Sequence, residues 1–203
     1  MCKNLKLLFN KYNCDKADKH HYHKIYGPEF EKRRDQNINI LEIGIFKGAS
    51  TRSLLEYFPN AVLYGIDIFE RVSLNSIDIY SNPRVNWIKG DSMATKPDWG
   101  IEFDFIIDDG AHWPDANRLT FLNFIQFLKE DGKYWIEDVF PLDKLRKNIS
   151  KRDSKWLKER SEIYTLEAHN ELLETLKRYK LIERDHRDLT GHEDSFVYEI
   201  SKN

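Results

Sequence analysis

The chain has 203 residues, with 32 basic and 34 acidic side chains, a formal net charge of -2 and 40% hydrophobic residues. That length suits one α/β domain with a sizeable core, and the near balance of charge excludes a general attraction to nucleic acid or to an anionic membrane. No apolar run approaches membrane-spanning length, the first residues lack a signal-peptide core, and Cys2 and Cys14 make neither a zinc pattern nor a disulfide framework, so a cytoplasmic location is expected.

Residues 1–36 precede the first expected strand. Leu5, Leu8, Phe9 and Tyr12 share a helical face, and Tyr26 and Phe30 suit a second helix packed on a sheet. Between them lies a polar stretch from Cys14 to His23. Its histidines, His20, His21 and His23, read as hydrogen-bonded or solvated groups rather than as metal ligands. Because the segment leads straight into the first strand, it is expected to act as an N-terminal helical lid on a domain formed by residues 37–203.

The stretch around which the chain is organised comes next. Ile38-Asn39-Ile40-Leu41-Glu42-Ile43 reads as a buried strand that breaks at Gly44 and again at Gly48. Ser50 is a candidate N-cap, and Leu54, Leu55 and Phe58 give a helical stripe. Strand, glycine loop and helix N-terminus form the first turn of a nucleotide-binding α/β unit. The spacing Glu42-x-Gly44-x-x-x-Gly48 departs from the dinucleotide pattern G-x-G-x-x-G. A carboxylate at Glu42 would repel a pyrophosphate but pair with an ammonium. The next strand, Ala61 to Ile66, ends in Asp67, 23 residues after Gly44, where an acid can take both hydroxyls of a ribose. Together these features describe S-adenosylmethionine better than NAD, and they disfavour an NAD-linked oxidoreductase.

A third strand, Val85 to Ile88, runs into Gly90-Asp91-Ser92, placed where Asp91 and the Ser92 region would border an adenine. A fourth, Phe103 to Ile107, ends in Asp108-Asp109-Gly110-Ala111-His112. A helix from about Pro114 shows an apolar face of Phe121, Phe124, Ile125 and Leu128, closed by Asp131-Gly132. The fifth strand, Lys133 to Ile136, ends in Glu137-Asp138. Single helices between strands indicate parallel βαβ units, whose ligands bind beyond the carboxyl ends of the strands. Gly44, Asp67, Asp91, Asp108, Asp109, His112, Glu137 and Asp138 all fall at such ends. The basic stretch with Lys144, Arg146, Lys147, Lys151 and Arg152 reads as a solvated face. Leu172, Leu173, Leu176 and Tyr179 mark another helix, and Leu181 to His186 with Ser195 to Ile200 an antiparallel hairpin.

With these residues in hand, the sequence resembles class I S-adenosylmethionine-dependent methyltransferases, and most of all the metal-dependent macrocin- and mycinamicin-type sugar O-methyltransferases. The resemblance rests on Asp15-Lys16, His21-Tyr22 and Tyr26, then Leu41-Glu42-Ile43-Gly44, Tyr64-Gly65-Ile66-Asp67, Ile107 to His112 and Ile136-Glu137-Asp138. It implies a Rossmann-like, seven-stranded, mostly parallel sheet with an antiparallel C-terminal hairpin and helices on both faces. It further implies that Glu42, Gly44 and the Gly48 to Ser50 region hold the methionine part of the cofactor, that Asp67 holds its ribose, and that Asp91 and Ser92 border its adenine. Asp109, Glu137 and Asp138 match positions around a magnesium ion, and His112 matches the proposed base. Hard carboxylate ligands without sulfur suit magnesium over zinc. Side chains alternate along a strand, so Asp109 is expected to face the metal and Asp108 the cofactor.

The expected acceptor is a hydroxyl of a sugar or a glycosylated small molecule, with no nucleic acid or membrane as partner and a homo-oligomer left open. The alternative is a metal-independent methyltransferase acting on an amine, a carboxylate or a phosphorus-linked oxygen.

Overall fold

A computed structural model describes residues 4–73, 77–140 and 162–203. The strands are β1 (Asn39–Ile43), β2 (Val62–Asp67), β3 (Val85–Lys89), β4 (Phe103–Asp108), β5 (Leu128–Ile136), β6 (Lys180–Asp185) and β7 (Phe196–Ser201). They form one sheet in the order β3-β2-β1-β4-β5-β7-β6. The first five strands pair in parallel, and β7 runs antiparallel to both β5 and β6. The expected class is therefore met, with β7 inserted between β5 and β6. The strand order reverses between β1 and β4, so the crevice for a ligand opens at their carboxyl ends.

The helices are α1 (Leu5–Lys11), α2 (His23–Arg33), α3 (Ala49–Tyr57), α4 (Pro114–Phe124), α5 (Leu166–Leu176) and the short α6 (Arg187–Thr190). They divide between the two faces because successive strand residues point opposite ways. Ile40, Phe105, Ile107, Trp135 and Val197 meet α1, α2 and α3 through Phe9, Tyr26, Phe30, Leu54 and Phe58. Leu41, Ile43, Ile106, Tyr134, Ile136 and Tyr198 meet α4 and α5 through Phe121, Phe124, Leu172 and Leu176. Phe9, Tyr22, Tyr26 and Phe30 are 0% exposed, so the leader contributes four aromatic rings to the core. No helix among the described residues is long and apolar enough to cross a membrane.

Several local expectations change. Gly48, in the left-handed region at φ +72°, is the N-cap of α3, and Ser50 is its second residue. A turn that must enter this region favours glycine over a serine that would cap by its side chain. Leu128 is the first residue of β5, not the end of a helix, and Asp131-Gly132 lies within that strand. A Cβ at Gly132 would lie 3.0 Å from the Asp104 carbonyl oxygen and 2.8 Å from Leu128 Cδ1. The missing side chain lets β5 close against β4 where the register shifts between Phe103 and Phe105. Lys144, Arg146, Lys147, Lys151 and Arg152 lie outside the described residues.

Candidate active site

The loop after β1 is shaped by contact with the loop after β4. Gly44 has φ +83°, and a Cβ there would stand 2.1 Å from the Asp109 carbonyl oxygen. The Gly44 N–H donates to Ile66 O at 2.9 Å, tying the loop to β2. Glu42 is 2% exposed and accepts from the Thr51 hydroxyl at 2.5 Å. Burial raises its pKa, while the Lys16 ammonium and the hydroxyls of Thr51 and Ser50 oppose the rise. Asp67 is drawn inward. Its Oδ2 accepts from the N–H groups of Ile45 at 2.7 Å and Phe46 at 2.9 Å, and its Oδ1 from Phe69 N at 2.6 Å. One carboxylate thus fixes both loops at the crevice mouth. Phe46 and Ile68, 51% and 45% exposed, leave apolar surface there. Asp91 Oδ1 accepts from Met93 N at 2.9 Å, and the Ser92 hydroxyl meets Thr120 Oγ1 on α4 at 2.8 Å.

Beyond β4 and β5 the acids separate by face. Asp108 turns towards α4, with Tyr134 OH donating at 3.4 Å and Gly110 N at 3.3 Å. Burial pushes its pKa up to about 7. Asp109 turns the other way, as strand alternation requires. Its Oδ2 accepts from Lys16 Nζ at 2.5 Å, and its Oδ1 lies 3.6 Å from His112 Nε2. Glu137, 1% exposed, accepts from Lys16 Nζ at 2.5 Å and from the Tyr26 hydroxyl. Asp138 Oδ1 accepts from the Tyr22 hydroxyl at 2.6 Å.

Burial pushes the carboxyls of Asp109, Glu137 and Asp138 upward; Lys16 opposes this at Asp109 and Glu137, and His112 at Asp138. Burial also works against the Lys16 ammonium, but Asp109 and Glu137 outweigh it and hold its pKa well above the usual lysine value. His112 and Asp138 both have positive φ, +65° and +51°. Left-handed backbone in non-glycine residues is uncommon and clusters at functional sites.

Ligand atoms of Asp109, His112 and Asp138 lie within 4.8 Å of one another. The structure therefore brings together three of the four residues expected around a metal and a base. The fourth, Glu137, is adjacent but turned to Lys16 and Tyr26. A cavity of about 320 Å³ opens beside the cluster, lined by His112, Asp138, Phe140, Tyr164, His192, Glu193 and Asp194. A larger hollow of about 660 Å³ lies between Arg118 and α5 and is lined by none of the cluster's residues.

Sequence pattern gave no site role to Lys16, Tyr22, Tyr26 or Thr51, placing Tyr26 only as a packing residue; the family resemblance of the leader was the signal that singled out the first three. His20 is 1% exposed, stacks on Tyr22 with centroids 5.0 Å apart, and meets Ser195 Oγ at 2.9 Å. It is hydrogen-bonded, and its ring also has a nitrogen within 4.8 Å of carboxylate oxygens of Asp138 and Asp194.

A sheet of this order, with its glycine loop after β1 and its acids after β4 and β5, is the Rossmann-like sheet of class I methyltransferases. Residues 41–139 match the family model for a methyltransferase domain. Among characterised proteins it is similar to L-olivosyl-oleandolide 3-O-methyltransferase of Streptomyces antibioticus, 33% identical over 144 residues that cover 64% of this chain and 36% of the relative. Mycinamicin VI 2''-O-methyltransferase of Micromonospora griseorubida is 28% identical over 127 residues, 57% of this chain and 30% of the relative. The chain thus spans about a third of the length of these relatives. The MycE methyltransferase from the mycinamycin biosynthetic pathway, in complex with Mg and SAH, shares the fold. It has a TM-score of 0.67 and 22% identity, over 100% of this chain and 55% of that one.

Proposed function

We propose that the chain is an S-adenosylmethionine-dependent O-methyltransferase that methylates a hydroxyl of a sugar or a glycosylated small molecule with the help of magnesium. The observation that carries this reading is the meeting of Asp109, His112 and Asp138 beside the glycine loop, at the carboxyl ends of adjacent parallel strands. The names of the relatives, all sugar O-methyltransferases, support the acceptor class.

The residues present suit both groups. Glu42 offers a carboxylate to an ammonium, and Gly44 and Gly48 offer bare backbone beside the buried Ser50. Asp67 stands at the ribose position, with Asp91 and Ser92 at the adenine. Asp108 borders the loop from the other face. On the metal side, Asp109, Glu137 and Asp138 carry three negative charges against one positive charge on Lys16. The difference, -3 + 1 = -2, is what a divalent cation neutralises, and the donors on the open side, the carboxylates of Asp109 and Asp138, are hard oxygens. Bound S-adenosylmethionine supplies an activated methyl group, and bound magnesium supplies positive charge that acidifies the acceptor hydroxyl.

The chain itself does the rest. Asp109 and Asp138 hold one side of the acceptor site. Phe140 and Tyr164, packed edge to face, form an apolar wall of the cavity. His112 Nε2 takes the proton of the hydroxyl as the oxygen attacks in line.

Methyl transfer to a panel of glycosides, nucleotide sugars and simple amines, followed by mass spectrometry with magnesium or EDTA, tests this. The expected result is a methylated sugar hydroxyl that appears only with magnesium. Full activity in EDTA would move the reading to a metal-independent methyltransferase.

A further inference from the structure

Lys16 takes no part in the chemistry above, yet it is a charged side chain only 1% exposed. It lies in the turn between α1 and α2, and its Nζ is 2.5 Å from both Asp109 Oδ2 and Glu137 Oε2. A buried ammonium is costly to desolvate unless carboxylates face it closely. The second oxygen of Glu137 accepts from the Tyr26 hydroxyl, so Lys16 and Tyr26 engage both oxygens of that carboxylate. What stays open is the other half of the cluster, where Asp109 Oδ1 faces His112 Nε2 at 3.6 Å and Asp138 stands close by.

We infer that Lys16 is a resident counter-cation that makes this acidic cluster a site for one divalent ion, by occupying the Glu137 side and leaving the Asp109–Asp138 side free. The inference rests on the metal reading proposed above. Its logic is charge balance in a poorly solvated place. With Lys16 charged, the three carboxylates leave -2, which one divalent ion neutralises. Without Lys16 they leave -3, and an oxygen of Glu137 becomes available as a further ligand. Lys16 therefore weakens metal binding and keeps the metal-free protein folded.

The test uses Mn²⁺ alone as the probe, with the full chain. Calorimetry gives the affinity, and thermal melts in EDTA and in Mn²⁺ give the coupling to stability. Wild type is expected to bind one Mn²⁺. Lys16→Met should melt lower in EDTA, bind Mn²⁺ about tenfold tighter or more, and gain more in melting temperature from the ion. The double variant Lys16→Met/Glu137→Gln removes one charge of each sign and restores -2. It should bind Mn²⁺ within about threefold of wild type.

If Lys16 only fills space, methionine replaces it without moving Mn²⁺ affinity. That result overturns the inference and leaves the metal reading standing. If wild type binds no Mn²⁺, the metal reading falls and this inference with it. If Lys16→Met does not fold even with Mn²⁺, the double variant decides: folded in EDTA it supports charge balance, unfolded it overturns it.

Discussion

Tyr22 and Asp138 grip each other twice. The Tyr22 hydroxyl donates to Asp138 Oδ1 at 2.6 Å and accepts from the Asp138 backbone N–H at 3.3 Å. Asp138 sits at φ +51°, a conformation its own backbone does not favour. The phenol therefore sets both the backbone and the carboxylate of a site residue. Tyr22→Phe keeps the ring and removes both bonds. It is expected to cost about 1–3 kcal/mol of stability, since a partly buried acceptor and a partly buried donor lose their partner. Turnover should fall more than substrate affinity. Chemical denaturation and steady-state kinetics on the same sample check this; unchanged values in both would remove Tyr22 from the site.

The leader is both core and wall. Tyr26 and Phe30 are 0% exposed, so α2 should resist hydrogen exchange with or without cofactor. The turn from Asp15 to His21 carries Lys16 and His20 to the site. Exchange in residues 15–23 is expected to slow when S-adenosylhomocysteine is added. Protection confined to residues 40–110 would show that the leader does not close over the ligand.

Asp67 has two tasks. Its carboxylate already orders the glycine loop through Ile45 and Phe46, and the proposed function gives it the ribose as well. Asp67→Ala is expected to cost about 1.5–3 kcal/mol of cofactor affinity, as charge-assisted hydrogen bonds are lost. Calorimetry with S-adenosylhomocysteine measures it. An affinity equal to wild type would rule out this placement.

Asp109 and His112 should separate by kind. Asp109→Ala is expected to lose its response to magnesium. His112→Ala is expected to keep Mn²⁺ binding and lose about 10²–10⁴-fold in kcat, the usual cost of a positioned base. If His112→Ala loses Mn²⁺ instead, the histidine is a ligand; if it stays within a few-fold of wild type, it is neither.

His169 gives a pH signature away from the site. It is 0% exposed, its Nε2 lies 3.0 Å from the Tyr198 hydroxyl, and burial lowers its pKa to about 4. Between that value and the ordinary ~6.5, the unfolded chain binds a proton that the folded chain does not. Stability due to this group is therefore present above the upper value and lost as pH falls through the window, by about 1.4 kcal/mol per pH unit. His169→Phe should flatten the denaturation free energy between pH 6.5 and 4 relative to wild type. Parallel pH profiles would place the titration elsewhere.

Most of the strands and the loop ends were legible because they are local. Glu42, Gly44, Asp67 and the Asp108-Asp109 pair sit at breaks that hydrophobic runs mark in the sequence. The metal-side partners were not legible from local pattern, since Lys16 meets Asp109 across 93 residues and Glu137 across 121. Nothing in a turn between two short helices announces a buried ammonium. The start of β5 was missed because Leu128 continues the 3.6-residue spacing of α4, and Asp131-Gly132 has the composition of a turn although it lies within β5, where the register with β4 shifts. Ser50 looked like a cap because serine commonly is one, but the backbone ahead of it needed a glycine.

The insertion of β7 between β5 and β6 has a consequence for how the site comes into being. During synthesis β6 emerges before the strand that joins it to the sheet, so until residues 196–201 are made the outer edge of β5 stays open. That edge belongs to Tyr134, Trp135 and Ile136, the run that ends in Glu137 and Asp138. A nascent chain thus holds an apolar strand edge and an unsupported pair of acids at the same place, and one late strand closes both. A chain stopped before Phe196 would be exposed to edge-to-edge pairing with its own copies as well as to loss of function.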